Sequence, residues 1–196
     1  MRLPDGARIV DVEVIRERAP KVLAAGETLD FQTMLPAKGG LFDPRVFGAG
    51  TVIDAPVKLD DSPYVPRKTQ FARIALARPI AHIVELPVLP PDLRPLHLDA
   101  DDRWQPTPLN NWYRRIFNLN RRLASDPSAE PELFAVIRGL FENDELPDPE
   151  LDKFGTPIPS LRSIVGGSTG FAFAAEAETT RGYIARSVLF AMCIHF

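Results

Sequence analysis

The densest chemistry in the chain lies between positions 109 and 123, where Arg114, Arg115, Arg121 and Arg122 share one segment with Asn110, Asn111, Asn118 and Asn120. Guanidinium forks and carboxamides are side chains that contact phosphate oxygens and sugars, so nucleic-acid backbone contact is the chemistry this composition suits. The competing reading is a solvated helix face, since cations turned away from a core need no further purpose. On these residues alone both readings stand.

Other chemistries are poorly supported. His82, His97 and His195 are far apart and show no ligand spacing, which points to structural or surface roles. Cys193 beside His195 sits in an apolar terminal run and reads as a buried thiol rather than a nucleophile. Asp99, Asp101 and Asp102 suggest either a magnesium cluster or a solvated acidic turn; the adjoining proline-rich sequence favours the turn, because magnesium usually also needs a bound phosphate. Gly166-Gly167-Ser168-Thr169-Gly170 lacks the Lys-Ser/Thr ending of a phosphate-binding loop and reads as a hinge.

The arginines need a helix to carry them, and the sequence supplies one. Thr107 can cap a first turn, Pro108 suits the first helical position, and Leu109, Trp112, Tyr113, Ile116, Phe117, Leu119 and Leu123 recur on one side through to Leu123. A second helix is expected over Glu130 to Asn143, with Leu133, Phe134, Val136, Ile137, Leu140 and Phe141 at helical spacing. Before them lies Leu86-Pro87-Val88-Leu89-Pro90-Pro91-Asp92-Leu93-Arg94-Pro95, whose four prolines in ten residues forbid a helix or a central strand and force an extended strap. Residues 8 to 16 alternate apolar and charged side chains, as a half-buried strand does, and 71 to 86 has β-like character. Between Gly26 and Gly50 the chain is loop-rich, with Phe31, Met34, Leu35, Leu41, Phe42, Val46 and Phe47 as expected anchors. Asp144 to Ser160 reads as an acidic, proline-rich loop and Tyr183 to Phe196 as a terminal strand.

Composition sets the frame. A chain of 196 residues that is 45% hydrophobic can bury a real core, as one compact unit or with segment boundaries near 86 and 143 (1–86, 87–143, 144–196). Its formal net charge of -3 gives no global attraction to nucleic acid, so phosphate contact must come from local clusters. A single cysteine excludes an internal disulfide framework and a cysteine-based zinc site. No apolar signal core opens the sequence and no apolar run approaches the roughly 20 residues that span a bilayer. The expectation is a cytoplasmic protein with no membrane partner.

The strap resembles the one at the clamp base of the largest subunit, β′, of bacterial RNA polymerase, and three further segments resemble that family in the same order. Gly26-Glu27-Thr28-Leu29-Asp30-Phe31-Gln32-Thr33 followed by Gly40-Leu41-Phe42-Asp43-Pro44-Arg45-Val46-Phe47-Gly48 is similar to Glu-Thr-Ile-Asn-Tyr-Arg-Thr, then Gly-Leu-Phe-Cys and Arg-Ile-Phe-Gly. Ile74-Ala75-Leu76-Ala77-Arg78-Pro79-Ile80-Ala81-His82-Ile83 resembles Ile-Glu-Leu-Ala-Ala-Pro-Val-Ala-His-Ile. The run from Leu109 to Leu123 is close to Leu-Asn-Asp-Leu-Tyr-Arg-Arg-Val-Ile-Asn-Arg-Asn-Asn-Arg-Leu. Near the C-terminus, Tyr183, Arg186, Ser187 and Val188 match a strand that starts the family's double-psi β-barrel.

The resemblance implies an α+β fold: an irregular β-rich lobe, two helices, and a C-terminal strand like the start of that barrel. It also implies that Arg94, Arg114, Arg115 and Arg186 contact phosphate, carried over from the strap, helix and strand motifs. Departures from the family narrow the function. Gly50 to Lys68 stands where the family has its zinc ribbon and holds no cysteine; the clamp coiled coil between the Ala-His-Ile segment and the strap is missing; Thr179-Thr180 and Gly182 replace a Lys-Arg pair and an Asp. The Asn-Ala-Asp-Phe-Asp-Gly-Asp loop that holds catalytic magnesium in the family has no counterpart in these 196 residues. With neither the zinc nor the magnesium site, the chain alone is expected not to polymerise RNA. It is expected to act as a transcription-linked module that binds DNA, RNA or RNA polymerase subunits. The rival expectations are a piece of a split polymerase, and a decoy or self-resistance protein that binds a small-molecule or protein inhibitor of the switch region.

Overall fold

The computed structural model describes residues 12–48, 70–91, 94, 96–98 and 104–162. The expected C-terminal strand, Arg186, Cys193, His195 and the Asp99–Asp102 cluster lie outside the described residues. The first element corrects the sequence reading: Val12–Arg18 is a helix, α1, instead of a strand, while residues 8–11 lie outside the described residues. Val12, Ile15 and Ala19 share a helical face, Ala19 is fully buried, and its amide donates to the Ile15 carbonyl at 2.8 Å. Glu13 in the first turn and Arg16 and Arg18 in the last complement the helix dipole. A few residues of alternation fit both periods, and packing against the sheet decided the outcome.

Strand β1, Lys21–Val22, pairs in parallel with β2, Ala72–Ile80, which pairs antiparallel with β3, Ile83–Val88, giving the sheet order β1-β2-β3. The strap therefore begins as β3, where Pro87 lies opposite Arg73 on a strand that, among the described residues, has β2 on one side only. That is a position where a missing N–H is tolerated. A tight turn at Ala81 and His82 joins β2 to β3, with φ of 45° and 74° at two residues that are not glycine. The ladder shifts register between Ala75 and Ile80. Glu85 on β3 ties three elements together: Arg16 of α1 donates to it at 3.0 Å, and Arg73 Nε of β2 approaches its second oxygen to 3.2 Å as an ion pair, out of line for a hydrogen bond.

The segment from Gly26 to Gly48 divides in two. Leu41, Phe42, Val46 and Phe47 enter the core as expected, the last two on the short helix α2, Pro44–Phe47. Phe31, Met34 and Leu35 do not: they sit on a tight turn and are exposed, Phe31 by 84%. Asp30 closes that turn by accepting from the amides of Gln32 and Thr33, so the backbone is satisfied locally without needing core contact.

After a two-stranded ribbon of β4, Leu96–Leu98, and β5, Trp104–Pro106, the chain enters α3, Pro108–Leu123, and α4, Glu130–Glu142, close to the bounds read from sequence. Thr107 takes the N-cap position and Pro108 follows it, but the Thr107 hydroxyl accepts from the Asn110 side chain instead of a backbone amide. Leu109, Trp112, Tyr113, Ile116, Leu119 and Leu123 face inward and meet Leu133, Val136, Ile137 and Leu140 of α4. The two helices pack closely at Gly139, where an added Cβ would lie 2.6 Å from Trp112 Cη2. One cluster of buried apolar residues runs from Ala19 through both helices to Leu161. A mixed α+β architecture therefore holds α3 between a sheet and a second helix, which fixes the side it shows to solvent.

Candidate nucleic-acid interface

Arg94, expected to reach phosphate, points inward and is fully buried. Its Nε donates to the Leu89 carbonyl at 2.7 Å, Nη1 to Asn110 Oδ1 at 2.5 Å and Nη2 to the Leu41 carbonyl at 2.5 Å. The guanidinium carbon lies 5.2 Å from the Phe42 ring centroid, 5.0 Å from Phe47 and 5.7 Å from Tyr113. Carbonyl dipoles and aromatic faces thus replace the water a cation gives up on burial. Asn110 returns a bond from Nδ2 to the Arg94 carbonyl at 2.8 Å, and the Tyr113 hydroxyl accepts from the Leu89 amide at 3.3 Å. Burial pushes the Tyr113 hydroxyl up to about 12, against the Leu89 amide and the nearby Arg94 charge, which pull the other way. Arg94 is the knot that ties strap, Gly-Leu-Phe loop and α3 together, and a phosphate contact does not fit this arrangement.

The neighbouring Gly-Leu-Phe loop is held by a second knot. Asp43 accepts from the Gly39 amide at 2.5 Å and the Arg45 amide at 2.9 Å, and from Arg45 Nε at 2.9 Å and Nη2 at 2.8 Å. Burial opposes its ionisation, but those four donors outweigh it and hold the carboxyl at about 2.

On the outer side of α3 the four arginines split into pairs. Arg115 lies over the Trp112 ring at 5.0 Å, and its Nη1 donates to both Glu150 oxygens at 2.7 Å. Arg122 donates to Glu132 of α4 at 2.8 Å and lies 3.6 Å from Asp126. Arg114 and Arg121 are exposed and have no acidic partner among the described residues. They are seven positions apart, two helical turns or roughly 10.5 Å along the axis, with exposed Asn118 between them on the same face. The other carboxamides divide likewise. Asn110 is in the Arg94 knot, and Asn120 clasps β2, donating to the Ala75 carbonyl at 2.9 Å and accepting from the Ala77 amide at 2.7 Å. Sequence reasoning found the arginines but missed Glu150, Glu132 and Asp126, the carboxylates that neutralise two of them. No local pattern marks the first two, which lie 35 and 10 residues from the arginines they pair with.

A shallow groove of about 490 Å³, lined by Ile80, Ala81, Pro127, Ser128, Glu130, Pro131 and Phe134, has Glu130 as its one carboxylate, paired with Arg78 at 3.6 Å. Among the described residues no three His, Cys, Asp or Glu side chains come together as a metal site. Nor is any helix among them long and apolar enough to cross a membrane.

No family model matches the chain. It is, however, similar to proteins named DNA-directed RNA polymerase subunit beta′: 36% identical over 98 residues to that of Nephroselmis olivacea, 35% over 96 residues to that of Rhodopirellula baltica and 34% over 95 residues to that of Petrotoga mobilis. Just under half of the chain is thus similar to a part of the RNA polymerase β′ subunit. The likeness covers 45%, 43% and 43% of this chain but only 11%, 7% and 6% of those relatives, so the chain spans about a tenth of their length or less. In this chain the β′-like strap forms an internal knot, and the Tyr-Arg-Arg helix presents two of its arginines, Arg114 and Arg121, without a carboxylate partner among the described residues.

Proposed function

We propose that this chain is a non-catalytic, β′-related module of the transcription apparatus that grips the phosphate backbone of a nucleic acid through the outer face of α3. Arg114 and Arg121 make the contacts and Asn118 adds a hydrogen-bonding carboxamide between them. The observation that carries the reading is the pairing pattern on that helix: in a chain with net charge -3, two exposed arginines two turns apart have no carboxylate partner among the described residues on one face. Such a pair leaves its donors open to the phosphates of a polyanion. Association with RNA polymerase subunits belongs to the same reading and rests on the β′ relationship.

The test is binding of a fluorescein-labelled duplex DNA, followed by anisotropy across a salt series, together with co-purification of polymerase subunits from the native host. Replacing both Arg114 and Arg121 with alanine should weaken binding and flatten the log–log salt slope by about 1.8, roughly 0.9 for each lost phosphate contact. Absence of salt-dependent binding by the unaltered chain, together with absence of co-purifying polymerase, would sink the reading.

A further inference from the structure

Arg115 belongs to the same helix as the proposed contact residues yet is occupied, and its occupant has the properties of a phosphate. Glu150 presents two anionic oxygens, both 2.7 Å from Arg115 Nη1, as the two non-bridging oxygens of a phosphodiester would. The two supports of the guanidinium differ in permanence. The Trp112 ring beneath it, 5.0 Å away, is buried within α3 and stays when the carboxylate leaves. The Glu150 side chain is 44% exposed and Arg115 42%, so a competing anion can approach from solvent. An ion pair this exposed holds by no more than about a factor of five.

The carboxylate is also placed, not merely nearby. Asn143, buried at the end of α4, accepts from the Glu150 amide at 2.8 Å and donates to the carbonyls of Glu150 and Ile158 at 2.9 Å each. The backbone at Glu150 is thereby pinned in front of Arg115 whatever its side chain does. Arg122 makes a contrast, because two carboxylates, Glu132 and Asp126, converge on it.

We propose that Glu150 is an internal phosphate surrogate that occupies the third anion seat of α3 and is displaced when nucleic-acid phosphate binds at Arg115. This rests on the phosphate-binding reading of α3 and adds to it: Glu150 sets whether the helix engages two phosphates or three. The arrangement keeps the trimmed, acidic chain from clinging to any polyanion. Full engagement is reserved for a partner that offers phosphates both to the Arg114–Arg121 row and to Arg115, about 100° around the helix from it.

The experiment compares the full chain with Glu150→Gln, Arg115→Ala and the double variant, using labelled duplex DNA across a salt series. Glu150→Gln keeps the backbone bonds to Asn143, and circular dichroism with thermal unfolding checks that each variant folds. Glu150→Gln should bind about two- to fivefold more tightly and steepen the salt slope by about 0.9, one additional phosphate. Both gains should vanish in the Arg115→Ala background. Glu17→Gln, an exposed carboxylate on α1, supplies the same change in net charge away from Arg115 and should give neither gain. The proposal is overturned if Glu150→Gln binds like the unaltered chain, if its gain survives loss of Arg115, or if Glu17→Gln matches it. The Arg114→Ala/Arg121→Ala variant separates the two ideas. Weakened binding there with a flat Glu150→Gln response removes only the surrogate, whereas no effect there removes the phosphate-binding reading itself.

Discussion

The two sides of α3 use the same side chain for opposite ends. On the inner side, Asn110 and Tyr113 receive Arg94 in a buried pocket where it meets two carbonyls, a carboxamide and three aromatic rings. On the outer side, Arg114 and Arg121 stand in water with no acidic partner among the described residues. Chemistry that sequence reads as one class, arginine beside a β′-like motif, separates by burial into a guanidinium with fixed internal partners and guanidiniums open to solvent. A buried guanidinium has already exchanged its water for fixed partners and has little left for a ligand, whereas an exposed one retains its donors for whatever anion arrives.

The largest expected effect comes from breaking the inner side. Arg94→Ala leaves the Leu41 and Leu89 carbonyls and Asn110 Oδ1 without their donor and opens a cavity between strap, loop and helix. The expected loss is about 3–5 kcal/mol of folding stability, measured by urea denaturation. Arg94→Lys should recover little, since one ammonium cannot span acceptors on three segments. If Arg94→Ala instead kept its stability and lost only DNA binding, the two sides of the helix would have to be exchanged in this account.

Acid probes the same region more gently. Asp43 is depressed from an ordinary 3.8 to about 2, so its contribution is complete above pH 4 and is lost as pH falls toward 2. The sign follows because the unfolded chain takes up the proton first. The shift corresponds to about 2 kcal/mol, and Asp43→Asn should remove that part of the acid dependence in urea titrations run between those two pH values.

The sequence made α3 and α4 legible because each carries its own instructions: apolar residues at helical spacing, Pro108 at a helix start, and turn residues between the two helices. Long-range partners were not legible. Arg94 is buried by Leu41, 53 positions away, and Asn110, 16 away, and Glu150 reaches Arg115 across 35, so no local window announces either outcome. The exposed turn at Phe31 misled for a related reason. Large apolar residues imply anchoring only if the backbone lacks local closure, and Asp30 supplies that closure. At α1 the alternation was too short to distinguish a strand from a helix, and the fit of Ala19 into the core was needed to decide.

A smaller effect separates two asparagines of α3. Asn120 clasps β2 where the ladder to β3 shifts register, satisfying the Ala75 carbonyl and the Ala77 amide, while Asn118 is exposed between Arg114 and Arg121. Asn120→Ala should cost about 1 kcal/mol in urea denaturation, since its two bonds are partly open to water, and leave DNA affinity unchanged. Asn118→Ala should do the reverse: little change in stability and a modest loss of affinity. Matching effects in both variants would mean that the division of the helix is less sharp than its hydrogen bonds imply.

The smallest stability effect is the sharpest test of the outer side. Arg114→Gln and Arg121→Gln remove exposed charges that take part in no ion pair among the described residues, and glutamine has nearly the same helix propensity as arginine. Each should therefore change unfolding free energy by less than about 0.5 kcal/mol. A loss near 2 kcal/mol would mean that these arginines pack against segments that matter for folding, and the outer side would then resemble the inner one. A null result in stability joined to a flattened salt slope in DNA binding is the combination that a binding face requires and a solvated structural face does not produce. The same helix would then read in one experiment as rigid support on one side and as an open phosphate grip on the other.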